Sequence, residues 1–544
     1  MSNLSHAVGT TDTPLIEYTI GEALDRAARA WPDGLALVSR HQGIRWTWAE
    51  LDNEVNRIAC GLAARGVQKG DRVGIWAPNR AEWAVTQFAT AKLGAVLVTI
   101  NPAYRISEVE YALNKVGCTA LITAPSFKTS DYIGMLRELG PEKLPLLKLM
   151  VSLGEEPHDG FVGWDDLRAP ADPALLAGIA ATLDRNDAIN IQFTSGTTGF
   201  PKGATLTHRN ILNNGFFTAQ TIKLTPADRI CIPVPLYHCF GMVLGNLAAL
   251  TSGAAMVYPG EAFDPRAALE AVQAEGCTAL YGVPTMFITV LNQPDLDSFN
   301  VSTLRTGIMA GSPCPITTMR AVIDKLNMHE VTIGYGMTET SPLTTQTATD
   351  DPLEERVGTV GRVHPHAEAK VVGPDGATLP YGQQGEYCSR GYAVMLGYWG
   401  DPDKTAEAID KDGWMHSGDL ATMDAGGYVR ITGRIKDMII RGGENIYPRE
   451  IEEFLLSHPA IADAQVFGVS DEKYGEEVCA WVIARDGTAL SQDDVIAHCK
   501  GRIAHYKVPR YVRVVEAFAM TVTGKAQKFE MRKMMEQELG LINA

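Results

Sequence analysis

Apolar residues recur along this chain at a helical period in some stretches and at period two or in short continuous runs in others, and the two kinds alternate. Thr47-Trp48-Ala49-Glu50 has the form of a capping box, in which hydroxyl and carboxylate each satisfy an end N–H of a helix. Leu51, Val55, Ile58, Ala59 and Leu62 then share one face, predicting an amphipathic helix that Gly66 ends. Arg72-Val73-Gly74-Ile75-Trp76 predicts a strand, Ala81–Leu93 a second helix, and Ala95-Val96-Leu97-Val98 a second strand. The pattern returns with a helix from Pro265, a strand over Cys277–Gly282, a helix near 316–327 and a strand at Val331-Thr332-Ile333. Apolar strands alternating with helices imply α/β architecture with mostly parallel sheets covered on both faces.

Beyond residue 360 the texture changes to Gly, Asp and short alternating runs such as Ala369-Lys370-Val371-Val372, which favour short antiparallel strands and a barrel-like piece. After Gly433-Arg434 a compact unit follows. It comprises a helix opened by Pro448, strands over Asp463–Val469 and Val478–Ala484, a helix capped by Ser491 and a strand near Tyr511–Val515. The expected organisation is a large N-terminal α/β domain of stacked sheets plus a small β-barrel-like part, residues 1–434. A smaller α+β C-terminal domain, residues 435–544, is joined to it by a hinge.

Length and composition add bounds. The 544 residues, 45% hydrophobic and 21% charged, describe an ordinary globular chain. A net charge of −16 without a compensating basic run argues against nucleic-acid binding but leaves a local anion site open. The nine cysteines are scattered without a CxxC pair, which fits a reducing compartment better than a disulfide framework or zinc site. Met-Ser-Asn-Leu-Ser-His lacks the basic and apolar regions of a signal peptide, so a cytoplasmic protein is expected. His238–Gly260 carries no charged side chain, but its glycines and the Ser252-Gly253 turn predict helix, turn and strand rather than a membrane span.

The chemistry begins at Thr194-Ser195-Gly196-Thr197-Thr198-Gly199-Phe200-Pro201-Lys202, after the apolar strand Ala188–Phe193. Small residues let backbone N–H groups approach an oxyanion, hydroxyls add donors and Lys202 adds charge. The spacing is not that of a Walker A loop, and a proline precedes the lysine. A second lysine on a Thr/Gly turn, Lys525 in Thr521-Val522-Thr523-Gly524-Lys525, lies more than three hundred residues downstream. Two distant cationic loops suggest an enzyme that closes two domains on a nucleotide.

Ser-Gly-Thr-Thr-Gly-x-Pro-Lys-Gly resembles the signature of the adenylate-forming (AMP-binding) superfamily, which includes acyl-CoA synthetases, luciferases and peptide-synthetase adenylation domains. The resemblance covers nearly the whole chain and implies roles for particular residues. Thr194, Ser195, Gly196, Thr197, Thr198, Gly199 and Lys202 would contact ATP. Gly334-Tyr335-Gly336-Met337-Thr338-Glu339 is similar to the second nucleotide motif, in which Tyr335 would pack on adenine and Thr338 would meet the α-phosphate. Glu339, together with Thr194, would hold Mg²⁺, an ion that needs few carboxylates and keeps several waters. Gly311-Ser312 is similar to the segment along the adenine, and Asp419, in Trp414-Met415-His416-Ser417-Gly418-Asp419, would accept from the ribose hydroxyls with Arg434 beside it. Lys436 occupies the family's hinge position. His238 falls where the family has a histidine or aromatic near the acyl carboxylate, to orient it or to gate CoA entry. Arg441-Gly442-Gly443-Glu444 resembles the loop that faces CoA.

A carboxylate attacking the α-phosphate of ATP brings two anions together, and Lys525 would be the cation that neutralises the charge growing between them. The resemblance therefore implies an acid–CoA ligase using ATP, Mg²⁺ and coenzyme A, with the pattern most like bacterial medium-chain fatty acyl-CoA synthetases and with dimers as a family expectation. If Phe240–Leu250 borders the acyl pocket, its polar side chain, Asn246, is uncharged, which disfavours dicarboxylic or amino acids. Alternatives are an aryl acid such as a coumarate or benzoate, loading of a carrier protein, and a luciferase-like oxidation.

Overall fold

The computed structural model describes residues 3–194, 201–312, 314–442, 444–521 and 525–541. The chain separates into two compact units, one of residues 7–369 with 389–415, the other of residues 1–6, 370–388 and 416–544. The boundary expected at 434/435 falls inside the second of these.

The larger unit holds two extended sheets. One has eight strands, in the spatial order Val162–Gly163, Leu149–Ser152, Ala120–Thr123, Arg72–Trp76, Val96–Thr99, Ala188–Thr194, Lys202–Thr207 and Gly397–Tyr398. It is parallel through Ala188–Thr194 and antiparallel for the last two strands. The other has nine strands with a parallel centre: Glu330–Gly336, Thr306–Ala310, Ala279–Gly282, Arg229–Cys231, Ala255–Tyr258 and Leu35–Ser39. Both match the alternation of helix and strand in the sequence.

The helix Ala81–Leu93 touches strands of both sheets, and every residue in it except Glu82 is buried. A helix enclosed on all sides carries no polar stripe. Its Lys92 ammonium is compensated by Asp25, Asp52 and Asn56 at 2.5, 2.6 and 2.7 Å, as a buried cation requires. The capping box at Thr47 forms and opens Trp48–Ala64. In the charge-free stretch a π-helix over Phe240–Leu247 runs into the helix Ala248–Ser252, and Gly253 in the left-handed region turns it into the strand Ala255–Tyr258. Among the described residues no helix is long and apolar enough to cross a membrane.

In the smaller unit, strands Met415–Met423 and Val429–Arg434 pair antiparallel. A further sheet is built from Glu444–Ile446, Ile439–Arg441, Gly475–Ala484 and Ile461–Asp471, with Tyr511–Val514 joined in parallel to Gly475–Ala484. Successive side chains of its long strands face opposite sides. Val466, Val478, Ala480 and Val482 pack with Ile451, Leu455 and Val495, while Phe467, Val469, Cys479 and Trp481 pack with Met531 and Met535 of the helix Lys528–Glu538. The sequence did not announce that last helix, since its apolar face is little more than two methionines among charges.

Candidate active site

The phosphate-type loop is framed by two strands of the eight-stranded sheet. Ala188–Thr194 and Lys202–Thr207 run antiparallel, with Thr194 opposite Lys202 and its hydroxyl 3.4 Å from the Lys202 carbonyl. Ser195, Gly196, Thr197, Thr198 and Gly199 lie outside the described residues. The Lys202 ammonium sits over the ring of Tyr398, 4.1 Å from its centroid. Tyr398 in turn donates its hydroxyl to Glu339 Oε1 at 2.8 Å, and both residues are buried, at 6% and 5% exposure.

Glu339 is delivered by the nine-stranded sheet. Strand Glu330–Gly336 is parallel to Thr306–Ala310, with Ala310 opposite Gly334, so Gly311-Ser312 and Tyr335–Glu339 leave the carboxyl ends of adjacent strands. Ligands of open α/β sheets bind at such strand ends. Gly336 is required sterically, because a Cβ there would run into the Pro342 carbonyl, and Met337 N–H donates to that same carbonyl at 3.0 Å. Thr338–Thr340 then forms one 3₁₀ turn, and Gly311 takes a φ of +94°, which suits a glycine.

His238 stands just before the π-helix. Phe240 N–H donates to its Nδ1 at 3.1 Å, which in the neutral ring leaves the proton on Nε2. Cys239 Sγ lies 3.9 Å from the Thr338 hydroxyl, tying this segment to the second nucleotide motif. Asn246 is an internal residue: it donates to Gln87 at 2.8 Å, accepts from Tyr258 at 2.7 Å and is fully buried. The Phe240–Leu250 segment is otherwise apolar and buried.

Among the described residues Tyr398 is the side chain that hydrogen-bonds the Glu339 carboxylate. A hard oxygen donor held in this way, with a threonine hydroxyl on the neighbouring loop strand, fits an ion such as Mg²⁺.

The smaller unit carries the other candidates. Asp419 and Arg434 are directly opposite on their paired strands, and Arg434 Nε donates to Asp419 Oδ1 at 3.1 Å. The turn before Asp419 is held by Glu386, whose carboxylate accepts from Gly418 N–H at 3.0 Å and meets His416 Nδ1 at 2.8 Å. Ser417 adds a hydroxyl bond to the Tyr387 carbonyl at 2.6 Å and accepts from Asp419 N–H at 3.0 Å. Lys436 lies in a 3₁₀ turn, Ile435–Asp437, between two strands. Lys525 N–H donates to the Thr521 hydroxyl at 2.9 Å while Thr521 N–H donates to the Lys525 carbonyl at 2.7 Å, and Met520 bridges Ala526, so the Lys525 backbone is paired with that of Thr521.

Arg441, expected at CoA, has a partner within its own sheet. Its guanidinium grips the buried Glu477 through two bonds of 2.7 and 2.9 Å and lies over the Tyr474 ring, a fixture of the C-terminal sheet. Spacing along the sequence gives no hint of a partner 36 residues on. Gly442 has a φ of +59°, Glu444 is exposed on the next strand opposite Arg441, and Gly443 lies outside the described residues. His364 and His366 turn inward, to Gln346 and to the Thr13 carbonyl, and burial pushes the His364 imidazole down to about 4. Tyr398 and Glu386 are the residues that sequence reasoning passed over. Neither belongs to one of the nucleotide motifs, and its partner lies 59 or 30 residues away.

Comparison with known proteins places these arrangements. Residues 24–399 match the model of the AMP-binding enzyme and residues 450–525 that of the AMP-binding enzyme C-terminal domain. The chain is 49% identical to the putative acyl-CoA synthetase YngI of Bacillus subtilis, over 95% of this chain and 97% of the relative. It is 46% identical to the mitochondrial medium-chain acyl-CoA ligase ACSF2 of Danio rerio, over 99% of this chain and 91% of the relative. Among solved structures, the anthranilate CoA ligase AuaEII in complex with anthranoyl-AMP superposes with a TM-score of 0.85 at 25% identity, covering 99% of this chain and 100% of that one. With two successive family models matched and relatives aligned nearly end to end, this chain belongs to the AMP-binding enzyme family.

Proposed function

We propose that this protein is an AMP-forming acyl-CoA synthetase acting on a medium- to long-chain fatty acid. The acid attacks the α-phosphate of ATP, giving acyl-AMP and pyrophosphate, and the CoA thiol then displaces AMP to give acyl-CoA. The observation that carries this is the buried Glu339 carboxylate at the carboxyl end of a central parallel strand, linked through Tyr398 to Lys202 beside the phosphate-type loop. A cation and a carboxylate so arranged suit a triphosphate and its metal respectively.

In this proposal Lys202 and the 194–199 loop take the phosphates, and Gly311, Ser312 and Tyr335 flank the adenine. Thr338 meets the α-phosphate, and Asp419 with Arg434 holds the ribose. Mg²⁺, held by Glu339 and Thr194, would supply charge neutralisation at the phosphates. Lys525 stabilises the charge that develops as the acid attacks, and Lys436 is the pivot that removes it before CoA reacts. His238 faces the acyl carboxylate. Arg441, Gly442, Gly443 and Glu444 face CoA, with the Arg441–Glu477 pair fixing the strand before the glycines. The apolar, buried Phe240–Leu250 segment supports an aliphatic acid, as do the names of the relatives. Nine free cysteines support a reducing compartment, and we place the enzyme in the cytoplasm.

The test is acid-dependent pyrophosphate release followed by CoA-dependent AMP release, across straight-chain fatty acids and one aryl acid such as benzoate. A maximum among the fatty acids supports the proposal. A benzoate kcat/KM above every fatty acid would transfer the assignment to an aryl acid, and turnover with a holo-carrier protein but not with free CoA would transfer it to carrier loading.

A further inference from the structure

The ring of Tyr398 stands between two groups of opposite charge. The Lys202 ammonium is on its face at 4.1 Å, and the Glu339 carboxylate is at its hydroxyl end at 2.8 Å. A lysine and a glutamate sharing a buried site attract one another strongly, and a direct ion pair would consume both charges. The phenol prevents this while satisfying each. Its negative ring face attracts the ammonium, and its O–H gives the carboxylate a charge-assisted bond.

The backbone leaves Tyr398 little freedom. It pairs with Ala204 on the strand that begins at Lys202, and its N–H donates to the Thr405 hydroxyl at 2.9 Å. Three residues earlier, Met395 N–H donates to the Glu339 carbonyl at 2.9 Å. The segment around Tyr398 is therefore clamped both to the strand carrying Lys202 and to the turn carrying Glu339. Gly397 permits this, because a Cβ there would meet the Thr405 side chain at 2.8 Å.

We propose that Tyr398 is a positioning residue that spaces Lys202 from Glu339, keeping the ammonium available to a phosphate and the carboxylate aimed at the divalent cation of the nucleotide. The inference rests on the assignment of Lys202 and Glu339 to Mg²⁺–ATP made above. It separates two functions of one side chain: the ring acts as spacer and cation seat, the hydroxyl as a guide for the carboxylate.

The experiment is calorimetric titration of ATP, with and without Mg²⁺, into wild type, Tyr398→Phe, Tyr398→Leu, Glu339→Gln and the double variant Tyr398→Phe/Glu339→Gln. Tyr398→Phe keeps volume and ring and should bind metal-free ATP as wild type does. It should lose about ten- to a hundredfold of the affinity that Mg²⁺ adds, the value of a hydrogen bond to a charged group, and its adenylation should need more Mg²⁺ with the KM for the acid unchanged. Tyr398→Leu, with thermal unfolding as a check on the fold, should weaken ATP in both conditions. In the Glu339→Gln background the phenylalanine should add little, because the two changes remove one interaction. Equal loss with and without Mg²⁺ in Tyr398→Phe, or a Mg²⁺ response identical to wild type, overturns the inference. If Glu339→Gln itself leaves the Mg²⁺ response intact, the assignment of the site falls instead, and the two failures are told apart.

Discussion

Asp419 and Arg434 face one another across the paired strands Met415–Met423 and Val429–Arg434, joined by a 3.1 Å N–H···O bond from the guanidinium. Neither depends on a neighbour in sequence for this, yet together they set a carboxylate acceptor beside a cation. Asp419→Asn keeps the shape and replaces an acceptor-only group with a half-donor. We expect the KM for ATP to rise about tenfold or more, as for a lost hydrogen bond to a charged group, with the KM for the acid unchanged. Equal changes in both constants would point to a structural role for the pair.

Lys525 and Lys436 test the order of events. Lys525→Ala should lower adenylate formation about 10²- to 10³-fold, the usual cost of one preorganised electrostatic donor, while largely sparing thioester formation from supplied acyl-AMP. Equal loss in both half-reactions would exclude a role confined to the first.

Lys436→Pro should do the reverse, because proline fixes φ and stiffens the turn. Acyl-AMP should form at nearly the wild-type rate and accumulate, with CoA-dependent AMP release slowed. Full activity in both half-reactions would move the pivot elsewhere.

Asp463 supplies a pH signature of stability. Burial, and to a lesser extent Glu452, push its carboxyl up to about 6, against the hydrogen bond it accepts from Ala464 N–H. A raised folded-state pKa means the native state holds the proton over a range where the unfolded state has lost it. The penalty for ionisation therefore grows as pH rises from about 4 to 6 and is complete above that. Asp463→Asn should thus be more stable than wild type at pH 7.5, by at most about 2–3 kcal/mol, with the gain vanishing near pH 4. Denaturant unfolding of both proteins at the two pH values checks this, and a gain independent of pH would refute the assignment.

Gly336→Ala should destabilise the second nucleotide motif, since its Cβ would collide with the Pro342 carbonyl and not with a side chain able to move aside. Overpacking against backbone costs about 1–3 kcal/mol or more. The expected outcome is a lower Tm together with ATP binding weakened in the folded fraction. A variant with wild-type Tm and ATP affinity would show that the turn relaxes without cost.

Much of the fold was legible in advance because local chemistry repeats it. The Thr47 capping box, the Ser491 cap, the prolines opening helices at 265 and 448 and the apolar strands all appear where the sequence puts them. The helix Ala81–Leu93 was legible by its length and its flanking strands, although burial on every side removes the stripe that normally marks a helix. The helix Lys528–Glu538 was not legible, because its inward face is defined by the strands it covers and not by its own composition.

The sequence by itself determined the alternation of helix and strand, the change of texture beyond residue 360, and the residue types and spacing of the nucleotide motifs. These follow from hydrogen-bonding geometry and periodicity, which act over a few residues. The tertiary structure decided which charges meet. It set Lys202 and Glu339 on two sides of Tyr398, gave Arg441 to Glu477, and turned Asn246 inward to Gln87 and Tyr258. Those pairings join positions 36 to 196 residues apart or lie within a packed core. They are selected by the cost of leaving a buried charge or amide unpaired, which only the assembled fold imposes.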